Sequence, residues 1–409
     1  MTRRPASARR RWSRAGGRTA AAAVALAVVA TFAIRDAAGQ ALRKADPELA
    51  YKLAPWDGRS AATLALQMVQ SPAPAGGPDA ALALARAGLR DDPTAVDAFN
   101  VLAMAAQLRG DTERTRALFR HSLALSRREL PSRVWAIEEA VSRGDIRGAL
   151  NNYDFALKTS RDAGPLLFPI LAEAISEPRI RAELLPILRQ KPVWGAEFID
   201  YLSRAAVNPE GTAAFHPELA RAGLAVSPLQ DARVVDALAA RGLLEQAWRY
   251  YARIRPGADR RRSRDPDFRV ASDAGAVFDW RTVSEGGRFG SLVRAADGGG
   301  TLAFSVAAAS PGKLAEQRQM LPPGRYRLQG RAQGLDVPAE QRPFFALACD
   351  NGVELVQVPL PAAGRTELKA VFAVPPGCTA QTLALIARQS DLPGGLEGAI
   401  DTVQIAPID

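Results

Sequence analysis

Gly110-Asp111-Thr112-Glu113-Arg114-Thr115-Arg116-Ala117-Leu118-Phe119 and Gly144-Asp145-Ile146-Arg147-Gly148-Ala149-Leu150-Asn151-Asn152-Tyr153 begin 34 positions apart and carry one pattern. In each, a Gly-Asp pair interrupts helix-forming sequence, and an aromatic residue follows nine positions after the glycine. The register continues: Ser122 falls on Ala156 and Leu123 on Leu157. One step back sets Gly76 on Gly110, Ala85 on Phe119 and Leu89 on Leu123. The unit is a helix, a turn at Gly-Asp and a second helix. A helix pair cannot bury both its faces alone, so successive pairs must stack to make one core.

Residues 41–255 share this grammar. Ala, Leu, Glu and Arg dominate, with apolar residues three and four apart, the period of helices with one buried stripe. Pro165, Pro169, Pro178, Pro186, Pro192, Pro209, Pro217 and Pro228 are expected to cut the second half into short helices. The repeat returns over 234–254, with Gly242 at the turn and Ala247, Trp248 and Tyr251 after it. About five or six helix pairs are expected in all. Residues 256–267, with Pro256-Gly257, Arg260-Arg261-Arg262 and Arg264, read as a solvated linker. Contact with acidic polysaccharide or lipid headgroups is the alternative.

From Phe268 the period changes. Short runs at 301–307, 324–330, 344–348, 354–358, 367–374, 381–387 and 398–405 alternate with turns such as Asp297-Gly298-Gly299-Gly300, Asp350-Asn351-Gly352 and Pro375-Pro376-Gly377. Such spacing predicts an antiparallel β-sandwich over 268–409. The fold class is therefore α then β.

The 409 residues carry a net charge of +10, which invites a nucleic-acid reading. Its location argues otherwise. Seven arginines and no acid lie in residues 1–18, leaving about +3 for the rest of the chain, so no nucleic-acid partner is expected. An uncharged, mostly Ala, Val and Leu run occupies 19–34. Residues 19–35 then read as an inner-membrane anchor, with the arginine tail in the cytoplasm and the bulk periplasmic. A cleaved signal peptide, with Ala37-Ala38-Gly39 offering the small residues, is the alternative. A twin-arginine signal at Arg9-Arg10-Arg11-Trp12 is a third reading. All three export the chain beyond residue 40. Cys349 and Cys378 are the only cysteines, and export makes a disulfide their simplest use, against two buried free thiols.

The helix pairs resemble tetratricopeptide repeats. The best covers 94–127, with Phe99, Leu102 and Ala103 before the Gly110-Asp111 turn and Phe119 and Ser122 after it. Those at 132–160 and 60–92 depart further, the last with a Pro/Gly-rich turn at 71–78. The resemblance implies a concave face carrying Asp97, Asn100, Met104 and Gln107, then Glu138 and Val141, able to hold an extended peptide or partner helix. The C-terminal part resembles jelly-roll carbohydrate-binding modules of the galactose-binding-like superfamily. Leu321-Pro322-Pro323-Gly324-Arg325-Tyr326-Arg327-Leu328, Phe372-Ala373-Val374-Pro375 and Gly398-Ala399-Ile400-Asp401-Thr402-Val403-Gln404-Ile405 carry that resemblance. It implies glycan contacts from aromatic or fixed polar groups, for which Asp279, Trp280 and Tyr326 are the candidates.

Catalytic patterns are missing. Arg288-Phe289-Gly290-Ser291-Leu292 lacks the second glycine of a nucleophile elbow. Pro311-Gly312-Lys313-Leu314 lacks the hydroxyl and upstream glycine of a phosphate loop. His121 and His216 read as surface residues, Glu138-Glu139 and Asp91-Asp92 as solvated faces or caps, and Asp401 as a turn cap before a calcium ligand. With 2 His and 2 Cys, a His-rich or thiolate metal site is excluded, and no cofactor is expected. The combination is similar to proteins of bacterial exopolysaccharide loci. It implies a non-enzymatic scaffold, binding envelope proteins and polysaccharide. A plain glycan-binding protein or an envelope adaptor unrelated to polysaccharide are the alternatives, ahead of a glycan-processing enzyme.

Overall fold

The computed structural model describes residues 9–71, 77–269, 275–294 and 299–408, with side chains in the first helix from residue 20. Fourteen helices precede eleven strands among these residues. The chain divides into two units, Met1–Leu167 and Phe168–Asp409. Residues 1–8 of the basic tail, 72–76 of the Pro/Gly-rich turn and the Asp297-Gly298 part of the predicted turn lie outside the described residues.

In the first unit, α1 (Arg9–Leu42) contains a 23-residue stretch, Ala20–Leu42, long and apolar enough to cross a membrane. The helix outruns the predicted 19–35 because its far end has partners. Arg35 donates through Nε to the Leu53 carbonyl at 2.9 Å and lies over the Trp56 ring at 5.5 Å. Phe32 also meets Trp56, at 5.1 Å between rings. Gly39 faces α2 (Pro47–Leu53), where a Cβ would come within 3.1 Å of the Ala54 Cβ.

Three helix pairs come next: α3 (Gly58–Gln70) with α4 (Gly77–Asp91), α5 (Val96–Leu108) with α6 (Thr112–Leu125), and α7 (Leu130–Ser142) with α8 (Ile146–Thr159). The 34-residue pattern is explained locally. Gly110 and Gly144 turn the chain at φ +75° and +70°, a region that side chains with a Cβ avoid. Asp111 and Asp145 then cap the following helices, accepting from Arg114 N at 3.1 Å and Gly148 N at 2.8 Å. Small residues bring the helices close: Ala62, Ala65, Ala85, Ala98 and Val101 are fully buried. The aromatic position is the plug, with Phe119 and Tyr153 both inside.

The second unit takes in most of α9 (Ala163–Ala174) and adds α10 (Pro178–Arg189), α11 (Gly195–Ala205), α12 (Pro209–Arg221), α13 (Pro228–Ala240) and α14 (Leu244–Ile254). Pro178, Pro209 and Pro228 begin helices, where a missing N–H costs nothing. Pro169, Pro186 and Pro217 instead lie inside helices. There, burial of neighbours such as Leu171, Leu188 and Phe215 outweighs one lost backbone hydrogen bond.

The strands are β1 (Arg281–Thr282), β2 (Ser284–Glu285), β3 (Arg288–Arg294), β4 (Gly300–Val306), β5 (Gly312–Gln319), β6 (Gly324–Ala332), β7 (Phe344–Cys349), β8 (Glu354–Pro359), β9 (Glu367–Val374), β10 (Gln381–Ala387) and β11 (Leu396–Pro407). They form two antiparallel sheets, β1-β5-β10-β7-β8 and β2-β3-β4-β11-β6-β9, around Leu302, Phe304, Leu328, Phe345, Leu347, Phe372, Leu385, Ile400 and Ile405. The seven predicted runs are strands. β5 escaped sequence reading because it is polar, Gly-Lys-Leu-Ala-Glu-Gln-Arg-Gln, yet sits between β1 and β10. Its Gln317 is buried and donates to the Arg264 carbonyl at 2.8 Å. Such pairing is what lets a polar side chain enter a core. Cys349 and Cys378 form a disulfide that ties the end of β7 to the turn before β10.

The segment 256–267 is not a free tether. Val403 N donates to the Pro266 carbonyl at 2.8 Å, Ile405 N to Ser263 Oγ at 2.7 Å and Gly300 N to the Asp267 carbonyl at 3.1 Å. The segment thus runs beside β11 and prolongs the line of β4. Helices α13 and α14 pack on the end of the five-stranded sheet through Val235, Tyr250, Tyr251, Phe278, Met320 and Ala380.

Candidate functional site

Two concave surfaces stand out, one in each unit. The first is a groove of about 520 Å³ in the helix pairs, lined by Arg43, Lys44, Arg59, Thr63, Asp97 and Glu129 among others. The repeat builds it. Asp97, in the first turn of α5, accepts from Thr63 Oγ1, 34 positions earlier on α3, at 2.6 Å. Glu129 precedes α7 and accepts from Ser126 Oγ at 3.0 Å. Burial, and then the neighbouring Asp97 charge, push the Glu129 carboxyl above the usual range, while Ser126 and Lys44 pull it down. The basic rim is partly committed: Arg43 pairs with Asp57 at 3.0 Å, and Arg59 with Asp92 at 2.7 Å. A partly buried Glu129 carboxyl beside the Asp97 charge favours either a proton on Glu129 or an incoming cation. A guanidinium or ammonium from a partner fits that requirement.

Of the other residues expected on the concave face, none lines this groove. Gln107 and Glu138 are exposed. Asn100 is fully buried; its Oδ1 accepts from Ser122 Oγ at 2.7 Å and Ser132 Oγ at 2.8 Å, knotting α5, α6 and α7. A polar side chain on the packed side of a helix needs partners, and the two serines supply them for the Asn100 oxygen. Lys44 and Glu129 were missed by sequence reading, because the groove depends on the loop before α7 and on the chain just after α1.

The second surface lies on the six-stranded sheet. The three residues expected to touch glycan are inside. Trp280 stacks among Phe268 at 5.5 Å and Phe345 at 6.3 Å. Asp279 is 2% exposed; its Oδ1 accepts from the Tyr251 hydroxyl at 2.6 Å and its Oδ2 from Ala276 N at 3.0 Å. Tyr326 packs on Phe372 at 5.8 Å, its hydroxyl donating to the Pro322 carbonyl at 2.9 Å. Strand alternation is the physical reason. Tyr326, Leu328 and Ala332 face the core, so Arg325, Arg327, Gln329 and Arg331 face out. The signal was present in Arg-Tyr-Arg-Leu-Gln-Gly-Arg.

That outer face holds a shallow cleft of about 460 Å³ lined by Gln329, Arg331, Glu367, Lys369, Thr402 and Gln404, with Pro266 and Asp267 at its edge. Register places Arg331 opposite both Glu367 and Thr402, and Gln329 opposite both Lys369 and Gln404. Gly330 leaves no room for a side chain, since a Cβ there would strike the Thr402 carbonyl at 2.2 Å. Asp401 is exposed at the β11 irregularity.

His216, read from sequence as a surface residue, is 2% exposed. Its Nδ1 lies 3.1 Å from Asp231 Oδ1 and 3.3 Å from the Tyr250 hydroxyl, which itself donates to Asp231. The cluster knits α12, α13 and α14. Burial, and then Asp231, hold the Tyr250 phenol far above its usual pKa. His121 is exposed against Phe99, at 4.5 Å between rings. Among the described residues no three His, Cys, Asp or Glu side chains gather as a metal set.

No protein-family model matches the chain, and no curated protein matches it. Among solved structures, similarity appears to the carbohydrate-binding and catalytic modules of Clostridium thermocellum endo-1,4-beta-D-xylanase 10B complexed with xylohexaose, at 18% identity and TM-score 0.24 over 35% of this chain and 28% of that one. A carbohydrate-binding module of the β-sandwich superfamily matches at 9% identity and TM-score 0.23, over 34% of this chain and 60% of that one. The human IFIT1 dimer with PPP-AAAA matches at 14% identity and TM-score 0.28, over 52% and 58%. The chain thus spans less than two thirds of each. All three TM-scores are low.

Proposed function

We propose that this chain is a membrane-anchored, exported scaffold of tetratricopeptide-like repeats with a glycan-binding sandwich, working in assembly or export of a cell-surface polysaccharide. The repeats hold an envelope protein, the sandwich holds glycan, and the mechanism is co-localisation without a covalent step. The observation that carries the reading is the groove at Asp97 and Glu129, where the partly buried Glu129 carboxyl sits beside Asp97. A basic segment of the partner, laid across α3 and α5, neutralises that pair.

Retention of α1 as an anchor is supported by its far end. The Ala37-Ala38-Gly39 stretch lies within the helix, and Arg35 and Gly39 pack on the residues around α2. On this reading the arginine tail stays in the cytoplasm and the helix pairs lie outside the inner membrane. Intact-mass analysis of the mature protein should return a chain that includes Arg35; one beginning near Gln40 refutes the anchor.

The groove is tested on the full chain in detergent. Asp97→Asn with Glu129→Gln should abolish co-purification of the envelope partner while leaving the melting temperature unchanged or higher. Undiminished co-purification refutes the groove.

A further inference from the structure

The six-stranded sheet presents cations that the protein itself does not use. Among the described residues, no ion pair and no hydrogen bond engages the side chains of Arg325, Arg327, Arg331 or Lys369; the Arg331 backbone N–H donates to Thr402 Oγ1 at 3.1 Å, which leaves the Thr402 hydroxyl proton free to donate. The five-stranded sheet is different. There, Lys313 pairs with Glu316 at 2.7 Å, Arg281 with Asp236 and Arg318 with Asp350, while Arg388 covers the Phe344 ring at 4.2 Å.

These cations lie on one face of two neighbouring strands. On β6 they alternate with core residues, so Arg325 and Arg327 stand ~7 Å apart along the strand, with Arg331 ~13 Å beyond. Lys369 projects beside them from β9, opposite Gln329. Glu367 is the acid of this cleft, joined at the edge by Asp267, which is already paired with Arg269 at 2.5 Å. The cleft's own lining is charge-balanced, but over the outer face of β6 and β9 Arg325, Arg327, Arg331 and Lys369 face Glu367 alone, so the excess there is positive. Between the cations sit Gln329, Gln404 and Thr402, amide and hydroxyl groups suited to sugar hydroxyls.

We infer that the outer face of β6 and β9, with the cleft beside β11, binds an acidic polysaccharide, with Arg331 and Lys369 in the cleft and Arg327 farther along β6 taking carboxylates, and Gln329, Gln404 and Thr402 taking hydroxyls. The inference rests on the reading of the sandwich as a glycan-binding module and adds the class of glycan. Charge selects an anionic polymer. Single-stranded nucleic acid is disfavoured because its bases need exposed aromatic platforms, and the aromatics of these strands, Tyr326 and Phe372, are buried.

The test uses the full chain in detergent with three probes: polygalacturonate, neutral dextran and single-stranded DNA. Polygalacturonate should bind best, and more weakly as salt rises. Arg327→Gln with Arg331→Gln should weaken that binding about tenfold or more, and Glu367→Gln should strengthen it. If the double variant does not fold, Lys369→Gln alone, at an exposed position, should still weaken binding. Equal binding of dextran and polygalacturonate, unmoved by the arginine changes, overturns the charge selectivity and leaves a glycan-binding module standing. Binding of neither sugar polymer overturns both. DNA bound as tightly as polygalacturonate replaces a glycan site with an indiscriminate anion-binding face.

Discussion

Replacing Tyr251 by Phe removes one oxygen and nothing else. The ring stays against Trp248 at 5.6 Å and Phe278 at 5.2 Å, so no packing is lost. The loss is the hydroxyl donated to Asp279 Oδ1 at 2.6 Å, inside a site where Asp279 is 2% exposed. Water cannot replace the donor. A hydrogen bond to a charged acceptor contributes about 1.5–3 kcal/mol. Asp279 keeps Ala276 N at 3.0 Å and the Arg255 guanidinium at 3.7 Å, which argues for the lower half of that range. The expected loss is therefore about 2 kcal/mol, roughly thirtyfold in the folding equilibrium. In a unit of this size it is about 4–8 °C in melting temperature. Calorimetry of the full chain should show the shift in the transition that carries the sandwich. Asp279→Asn should be destabilising as well, and the two changes together should cost less than their sum, because they break one contact. Polysaccharide binding measured well below the melting transition should be unchanged in both variants. A Tyr251→Phe protein within about 0.5 kcal/mol of the parent, or an Asp279→Asn protein that keeps its stability and loses sugar, refutes a structural role for this pair.

Other expectations come from the same geometry. Asn100→Ala should cost about 1–3 kcal/mol in denaturant unfolding, by taking the shared acceptor from the Ser122 and Ser132 hydroxyls, which lie 2.7 Å apart and can satisfy only one donor between them, whereas Gln107→Glu and Glu138→Gln should change stability by less than about 0.5 kcal/mol. The Cys349–Cys378 bridge spans 29 positions, so replacing both cysteines with serine should destabilise the sandwich by about 3–4 kcal/mol in the chain-entropy account; an unchanged transition would count against that account. Burial pushes the Tyr153 phenol up to about 12. A raised phenol stabilises the fold fully below the ordinary tyrosine value of about 10 and loses that contribution as pH climbs toward the folded value. Unfolding followed from pH 9 upward should therefore fall less steeply in Tyr153→Phe than in the parent, and parallel curves would contradict the shift.

Much of the fold was legible because it depends on local rules. The Gly-Asp turn repeats at Gly110 and Gly144 since the backbone there must adopt positive φ and the next helix needs a cap. The seven predicted strands announce themselves by alternation. β5 does not: its buried Gln317 is matched by the Arg264 carbonyl, 53 positions away, and its buried Gln319 by Gln317 beside it. The candidate sites were less legible. The helical period places Asn100 and Gln107 on one expected face, yet the stacking of α5, α6 and α7 buries the first and exposes the second. Likewise His216 looks like a surface residue until Asp231 and Tyr250 close over it from two later helices.

By itself the sequence determined an apolar segment preceded by arginines, a helical part of repeating pairs, a sheet part with a cysteine pair, and little excess charge elsewhere. These are properties of composition and period, each fixed by residues close together in the chain. The tertiary structure decided which side of each element meets water. It took Asp279, Trp280 and Tyr326 out of the reckoning as glycan contacts by burying them, and it brought Asp97 to Glu129 and Arg331 to Lys369. The reason is physical: burial and proximity are set by packing between elements distant in sequence. A one-residue step along β6 separates a core tyrosine from an outward arginine.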